Sequence, residues 1–68
     1  MRKEDLEVYL GKQVLVTTKN DYLLQGCLDY NTSGIYVESN YMLTNTGSDY
    51  TYYFNEDEVK NIKEKEGE

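Results

Sequence analysis

The chain has 68 residues, with 13 acidic and 7 basic side chains and a formal net charge of -6 at neutral pH. This length allows a single domain, residues 1–68. With no histidine and one cysteine, the chain cannot form an internal disulfide, a histidine-based catalytic triad or a zinc site of the usual kinds. We therefore predict that the protein is not an enzyme and has no cofactor or metal site. The acid excess argues against binding of long nucleic acid.

The small size predicts self-association. A chain of this length buries only about 60% of the surface that its unfolded form exposes. Since no disulfide or metal can stabilise the fold, burial against further copies is the remaining source of stability. We expect a homo-oligomer.

The sequence favours a cytoplasmic location without membrane contact. No segment approaches the roughly 20 apolar residues that cross a bilayer. The basic residues near Met1 are followed by acids rather than by an apolar run, which is not the pattern of a signal peptide. The free thiol of Cys27 fits a reducing compartment.

The N-terminal segment predicts a short helix over residues 3–10. Leu6, Tyr9 and Leu10 recur at helical spacing and form one apolar stripe. Gly11 then stands where a helix commonly ends. A helix this short must pack against another part of the fold.

The rest of the chain predicts five strands separated by polar turns, one of them at 45–49. The strands are expected at 13–18, 22–30, around Ile35 and Val37 continuing through 41–43, at 50–54 and at 59–62. Ile35 and Val37 are expected to point inward, and a frayed charged tail is expected at 63–68.

The pattern as a whole predicts a mostly β fold: a short N-terminal helix followed by a five-stranded antiparallel small barrel. Gly26 lies inside the second strand, which indicates a bend or a close backbone contact. Strands in a chain this small commonly close into a barrel, because closure removes exposed edges. The helix then covers one end.

A set of glycine, lysine and apolar residues occurs in a characteristic order along the chain. These residues are Leu10, Gly11, Lys12, Val14, Val16, Gly26, Leu28, Ile35, Val37, Phe54, Val59 and Ile62. In these residues the chain resembles the Sm-like family of small barrels, over residues 3–62. The resemblance implies an Sm-like barrel whose fourth strand pairs with the fifth strand of a neighbouring copy, giving a closed ring. It also implies that the loops after the second and fourth strands meet at one mouth of the barrel.

The two motifs that contact RNA in that family differ here. In the loop after the bent strand, which looks shortened, only Asn31 matches a polar base-contacting residue. In the second motif, Asn55 and Glu56 replace an arginine and a glycine. The cation that would meet RNA is therefore missing, and an acid is added.

Eight tyrosines suggest aromatic contacts at this mouth. Tyrosine has a high strand propensity and also fills half-buried faces and subunit interfaces. Tyr30, Tyr36 or Tyr53 can instead stack on a base, which is worth roughly 1–3 kcal/mol. Since Tyr36 and Tyr53 alternate with core residues, we expect them to point outward or to lie at a subunit interface. The candidate ligand-binding residues are Tyr30 and Asn31 after the bent strand, Asn55 before the last strand and, less directly, Tyr36.

Two functions remain open from the sequence. The first is a non-enzymatic ring that binds a small nucleotide or short single-stranded RNA at these residues. The alternative is an acidic protein-interaction module, for example a viral or mobile-element protein that sequesters a host factor.

Overall fold

The computed structural model describes residues 1–45 and 50–65. These residues form a short helix, five antiparallel strands in one sheet and a single 3-10 turn before the last strand. The elements are α1 (Lys3–Glu7), β1 (Gln13–Thr18), β2 (Leu23–Tyr30), β3 (Tyr41–Thr44), β4 (Thr51–Phe54), the 3-10 turn Glu56–Glu58 and β5 (Val59–Glu64). The predicted mostly β architecture with a helix before five antiparallel strands is confirmed.

The sheet is open rather than closed into a barrel. Its strand order is β4-β3-β2-β1-β5, so β4 and β5 form its two edges. Among the described residues, β4 pairs only with β3 and β5 only with β1. The expected closure is therefore not seen, because it requires hydrogen bonds between β4 and β5.

One face of the sheet carries the hydrophobic core. We call it the inner face and the opposite one the outer face. Successive side chains of a strand alternate between faces, and the alternation of β1 and β3 buries Val14, Val16, Tyr41 and Leu43. Leu6 of α1 is fully buried against this face. The helix thus covers the sheet, as its apolar stripe predicts.

Gly26 allows two parts of the sheet to meet. β2 pairs with β1 from Leu23 to Cys27 and with β3 from Cys27 to Tyr30, so the two pairings overlap next to Gly26. A Cβ atom at this position would lie only 2.8 Å from the carbonyl oxygen of Thr44. The predicted close backbone contact at Gly26 is confirmed.

The predicted third strand is wrong in its first half. Residues 31–40 form a loop, and β3 begins only at Tyr41. Ile35 and Val37, expected to point inward, are 54% and 78% exposed. Gly34 and Tyr36 adopt φ angles of 84° and 50°, which no strand contains. This ten-residue loop is also longer than the sequence suggested.

The remaining boundaries differ by a few residues. α1 ends at Glu7, three residues before the predicted end. The predicted turn at 45–49 lies mostly outside the described residues. β5 continues to Glu64, and the Lys65 amide donates to the Gln13 carbonyl, so the first residues of the predicted frayed tail are ordered.

Within residues 1–45 and 50–65, no helix is long and apolar enough to cross a membrane.

Candidate binding site

Asn31 organises the loop that follows β2. Its side-chain nitrogen Nδ2 lies 3.0 Å from each of the carbonyl oxygens of Ile35, Tyr36 and Ser39. Its Oδ1 accepts hydrogen bonds from the backbone amide of Ser33 at 3.2 Å and from the Ser33 hydroxyl at 2.7 Å. The amide that the sequence offered for a base is therefore used to hold the loop together.

Asn55 attaches this loop to the turn before β5. Its Oδ1 accepts from the backbone amide of Asn40 at 2.8 Å, and its Nδ2 donates to the Glu38 carbonyl at 2.9 Å. Its own amide donates to the Glu58 carboxylate at 3.0 Å, which stabilises the start of the 3-10 turn. The two loops predicted to meet do meet, through Asn55.

Glu56 makes the junction acidic. Asn40 Nδ2 donates to its carboxylate at 3.3 Å. Hydrogen bonding from the Glu56 backbone amide lowers the pKa of this carboxyl, partial desolvation opposes that shift, and the Asn40 amide and the Lys3 charge lower the pKa further. Glu56 is therefore ionised at neutral pH, with Lys3 as a nearby cation.

Tyr30 ends an aromatic row on the inner face. Its ring stacks on Tyr41, with centroids 5.9 Å apart and planes at 24°, and Tyr41 lies 6.1 Å from Phe54. Tyr41 is buried, whereas Tyr30 is 49% exposed. The row therefore presents one aromatic ring to solvent beside the loop that Asn31 organises.

Glu7 connects this row to α1. The Tyr41 hydroxyl donates to Glu7 Oε2 at 3.2 Å. Burial, together with the hydrogen bond and charge of Glu7, raises the pKa of Tyr41 to about 12. Partial desolvation, followed by the charge of Glu7, also raises the pKa of Tyr30. Both phenols remain protonated at neutral pH.

Tyr36 packs on the other side of the sheet. Its ring lies 4.9 Å from that of Tyr53, with the planes at 38°. Tyr53 pairs with Met42 and alternates with buried Phe54, which places Tyr53 on the outer face. Tyr30 and Tyr36 therefore lie on opposite faces and cannot stack on one base.

The four predicted residues are thus at one end of the sheet but have different roles. Asn31 and Asn55 are occupied by loop contacts, Tyr30 has an open ring, and Tyr36 belongs to an outer-face pair with Tyr53. The sequence missed Lys3, Glu7, Asn40 and Tyr41 as neighbours of this region. The alternation of β4 did place Tyr53 outward, but nothing in the sequence marks Asn40.

Cys27 offers little reactivity. It is half-buried on the outer face of β2. Burial, followed by the charge of Asp29, raises the pKa of its thiol. Since the thiolate is the nucleophile, a raised pKa makes Cys27 a weak one. Among the described residues, no group of three carboxylate or thiol side chains is close enough to hold a metal ion.

A shallow groove lies at the opposite end of β2. It encloses about 270 Å³ and is lined by Leu15, Leu23, Leu24, Gln25, Asn45 and Tyr52. It carries no charged side chain, and none of the predicted residues lines it. The groove is therefore separate from the Tyr30 region.

Comparison of the chain with protein-family models, curated proteins and solved structures found no match in any of the three. What the chain does must be inferred from its own residues and geometry.

Proposed function

We propose that the protein is a non-enzymatic, homo-oligomeric binding module of the Sm-like kind. Its copies join edge to edge, and each holds a small nucleotide or a base of short single-stranded RNA on Tyr30. The observation that most directly supports this proposal is that Tyr30 ends the inner-face aromatic row with a half-exposed ring. We place the protein in the cytoplasm because the free thiol of Cys27 fits a reducing compartment.

The open sheet supports self-association. Edge strands expose unpaired backbone donors and acceptors, which are templates for another strand. β4 reads Thr-Tyr-Tyr-Phe and carries neither charge nor proline, the usual protections of an edge. The strand implied as its partner is β5 of a neighbouring copy, the other free edge.

The geometry around Tyr30 supports a base as the ligand. A base stacked on the open face of Tyr30 extends the row formed with Tyr41 and Phe54. Such stacking tolerates any base, since every base has an aromatic face. The Asn31 loop supplies a fixed wall beside it.

The charges restrict the length of that ligand. Glu7 and Glu56 flank the region, and the chain carries -6 overall. The nearby cations are Lys3 and the N-terminal amine, whose charges both lower the pKa of Glu56. One phosphate can be neutralised by one lysine, whereas a long phosphate chain meets net repulsion.

The first test is calorimetric titration of the purified chain with uridine, adenosine, their monophosphates, cyclic nucleotides and a short single-stranded RNA. We expect binding that Tyr30→Ala weakens roughly 5- to 150-fold, the equivalent of about 1–3 kcal/mol of stacking. Tyr22→Ala is the matched control, because Tyr22 is an exposed tyrosine in the turn after β1. No heat signal with any of these ligands at millimolar concentration would end the nucleotide proposal.

A second substitution distinguishes contacts with the base from contacts with the phosphate. We expect Lys3→Ala to weaken the monophosphate but leave the nucleoside unchanged. Lys19→Ala, in the turn after β1, should alter neither. Equal losses for nucleoside and monophosphate would show that Lys3 does not contact the phosphate.

One observation favours the alternative, an acidic protein-interaction module. The tip of the 31–40 loop exposes Ile35, Tyr36 and Val37 next to Glu38. Exposed apolar side chains beside an acid match a partner with a basic rim. This function would be favoured if the chain bound a basic protein and lost it upon Val37→Ser substitution and at high salt. The calorimetric titration would then show no binding of any nucleotide.

A further inference from the structure

Glu7 lies at the hydroxyl end of the aromatic row on the inner face. Its Oε2 accepts a hydrogen bond from the Tyr41 hydroxyl at 3.2 Å. Partial desolvation, then the charge of Glu7 and a hydrogen bond with its side chain, raise the pKa of Tyr30, so this carboxylate also lies beside the Tyr30 phenol. The rings of Tyr30 and Tyr41 are stacked, with their planes at 24°. A planar ligand on the open face of Tyr30 therefore has one edge on the side of Glu7.

The side-chain amides of this region are engaged within the protein. Asn31 Nδ2 lies 3.0 Å from three backbone carbonyl oxygens, whereas an amide nitrogen has only two N–H donors. Asn55 Nδ2 donates to a loop carbonyl at 2.9 Å. Asn40 Nδ2 donates to the Glu56 carboxylate at 3.3 Å. These amides are thus fixed by internal contacts, and both N–H groups of Asn31 are taken up by the loop.

Carboxylates, by contrast, keep acceptor capacity beside Tyr30. A carboxylate has about four lone-pair sites and no donor. Glu7 is exposed, and the two phenols occupy at most two of its sites. The charge of Glu56 also reaches Tyr41, the buried neighbour of Tyr30 in the row. The free hydrogen-bonding capacity around the open ring is therefore mainly that of acceptors, which pair with donors on a base.

The bases differ in the donors that they present to an acceptor. Guanine carries two adjacent donors, N1–H and the N2 amino group, which match the two oxygens of one carboxylate. Uracil presents a single N–H between two carbonyl oxygens, and these oxygens repel a carboxylate. Adenine and cytosine present an amino group next to a ring nitrogen that accepts. A carboxylate at the edge of the stack therefore favours guanine over the other bases.

The aromatic row also holds Glu7 in place. Tyr41 is buried, and its hydroxyl fixes one carboxylate oxygen of a side chain that is otherwise exposed. An ordered side chain loses less conformational entropy when it binds a ligand than a freely rotating one does. Glu7 is therefore preorganised for a ligand at the open ring.

We propose that Glu7 makes the Tyr30 site selective for guanine, with the base stacked on Tyr30 and its N1–H and N2 amino donors bound to the Glu7 carboxylate. Guanine selectivity rests on the proposed function, since it requires a base on Tyr30. Lys3 and Glu7 are four residues apart on α1 and therefore share one face of it, with Cβ atoms about 5–6 Å apart. One nucleotide thus reaches Glu7 with its base and Lys3 with its phosphate.

Calorimetric titration with guanosine, inosine and uridine monophosphates tests the selectivity. The three ligands share the ribose and the phosphate, and inosine lacks only the N2 amino group of guanosine. We expect guanosine monophosphate to bind roughly 5- to 150-fold more tightly than uridine monophosphate, the range for discrimination by one bidentate contact, with inosine monophosphate between them. Binding of inosine or uridine monophosphate as tight as that of guanosine monophosphate would overturn the proposal.

Glu7→Gln tests the residue itself. The glutamine amide still accepts from the Tyr41 hydroxyl, but one acceptor becomes a donor, which breaks the match to guanine. We expect the preference for guanosine over uridine monophosphate to fall roughly 5-fold or more. Asp5→Asn removes the same charge from an exposed position of the same helix and should retain the preference. An unchanged preference in Glu7→Gln would overturn the proposal, and far-UV circular dichroism verifies that both variants retain the fold.

Tyr30→Ala separates selectivity from the proposed function. Binding that Tyr30→Ala weakens, but that does not distinguish the three monophosphates, would leave the stacking site in place and overturn only its selectivity. If none of the three binds at millimolar concentration, the proposed function fails, and guanine selectivity fails with it.

Discussion

Asn31 shows how one side chain can change the course of the backbone. The alternating pattern around Ile35 and Val37 predicts a strand. Instead, the Asn31 side-chain amide donates hydrogen bonds to three backbone carbonyls and holds this segment as a loop. These are the carbonyls of Ile35, Tyr36 and Ser39. Asparagine competes with strand pairing in this way through local side-chain hydrogen bonds. Asn31 therefore has a structural role in this loop, and its role in binding a base stays a prediction.

Substitution of Asn31 tests that role. Asn31→Ala leaves several loop carbonyls without a donor, and we expect it to lower the free energy of unfolding by about 1–3 kcal/mol. Asn31→Asp should lower it similarly, because a carboxylate cannot donate. Chemical denaturation measures both. Asn20→Ala, in the exposed turn after β1, serves as control, and equal stability of all three variants and the parent would refute the structural role.

The raised pKa of Tyr41 predicts that the fold becomes less stable at alkaline pH. Its pKa is raised from 10.0 to about 12 in the folded state, mainly by burial and the Glu7 hydrogen bond. Below pH about 10, the hydroxyl is protonated in both states and the stabilisation is complete. Above that pH the unfolded chain loses the proton first, so stability should fall until about pH 12.

Tyr41→Phe isolates this contribution. The variant should be less stable at neutral pH by about 1–2 kcal/mol, because the hydrogen bond to a charged group is lost. Its stability should fall less steeply than that of the parent between pH 10 and 12. Parallel curves in urea denaturation across this range would contradict the assignment to Tyr41.

At the scale of elements, alternation was a good guide wherever strands pair inside the sheet. β1 and β2 follow the predicted ranges closely, and the outward face predicted for Tyr53 is correct. The prediction of the third strand was wrong in its first half, because Ile35 and Val37 alternate like the buried residues of a strand but are exposed. The contact that joins the two loops could not be predicted either, since it depends on Asn40, 15 residues from Asn55.

Gly26 provides the test at this scale. Gly26→Ala places a methyl group 2.8 Å from the Thr44 carbonyl oxygen, which is backbone and cannot rotate away. We expect a loss of about 1–3 kcal/mol, typical of overpacking, measured by thermal or chemical unfolding. Gly34→Ala is the matched control, since nothing lies within 4 Å of its Cβ position and its φ of 84°, like the 155° of Gly26, is positive and disfavours a side chain. A Gly26 variant more stable than the Gly34 variant would contradict the close-contact explanation.

For the whole molecule, the sheet's open edges carry the function proposed here. A closed barrel would have satisfied β4 and β5 within one chain, whereas the open sheet leaves both for other copies. Under the proposed function, the net charge of -6 restricts the ligand to a single nucleotide or short RNA, since each added copy adds to the repulsion of phosphate. We thus propose self-association and a short ligand as two consequences of one small, acidic, open sheet.

Native mass spectrometry of the purified chain, with and without a nucleoside monophosphate, tests this account most directly. We expect one defined oligomer of several copies, with up to one nucleotide per chain. A monomer at every concentration, with no bound nucleotide, would contradict it.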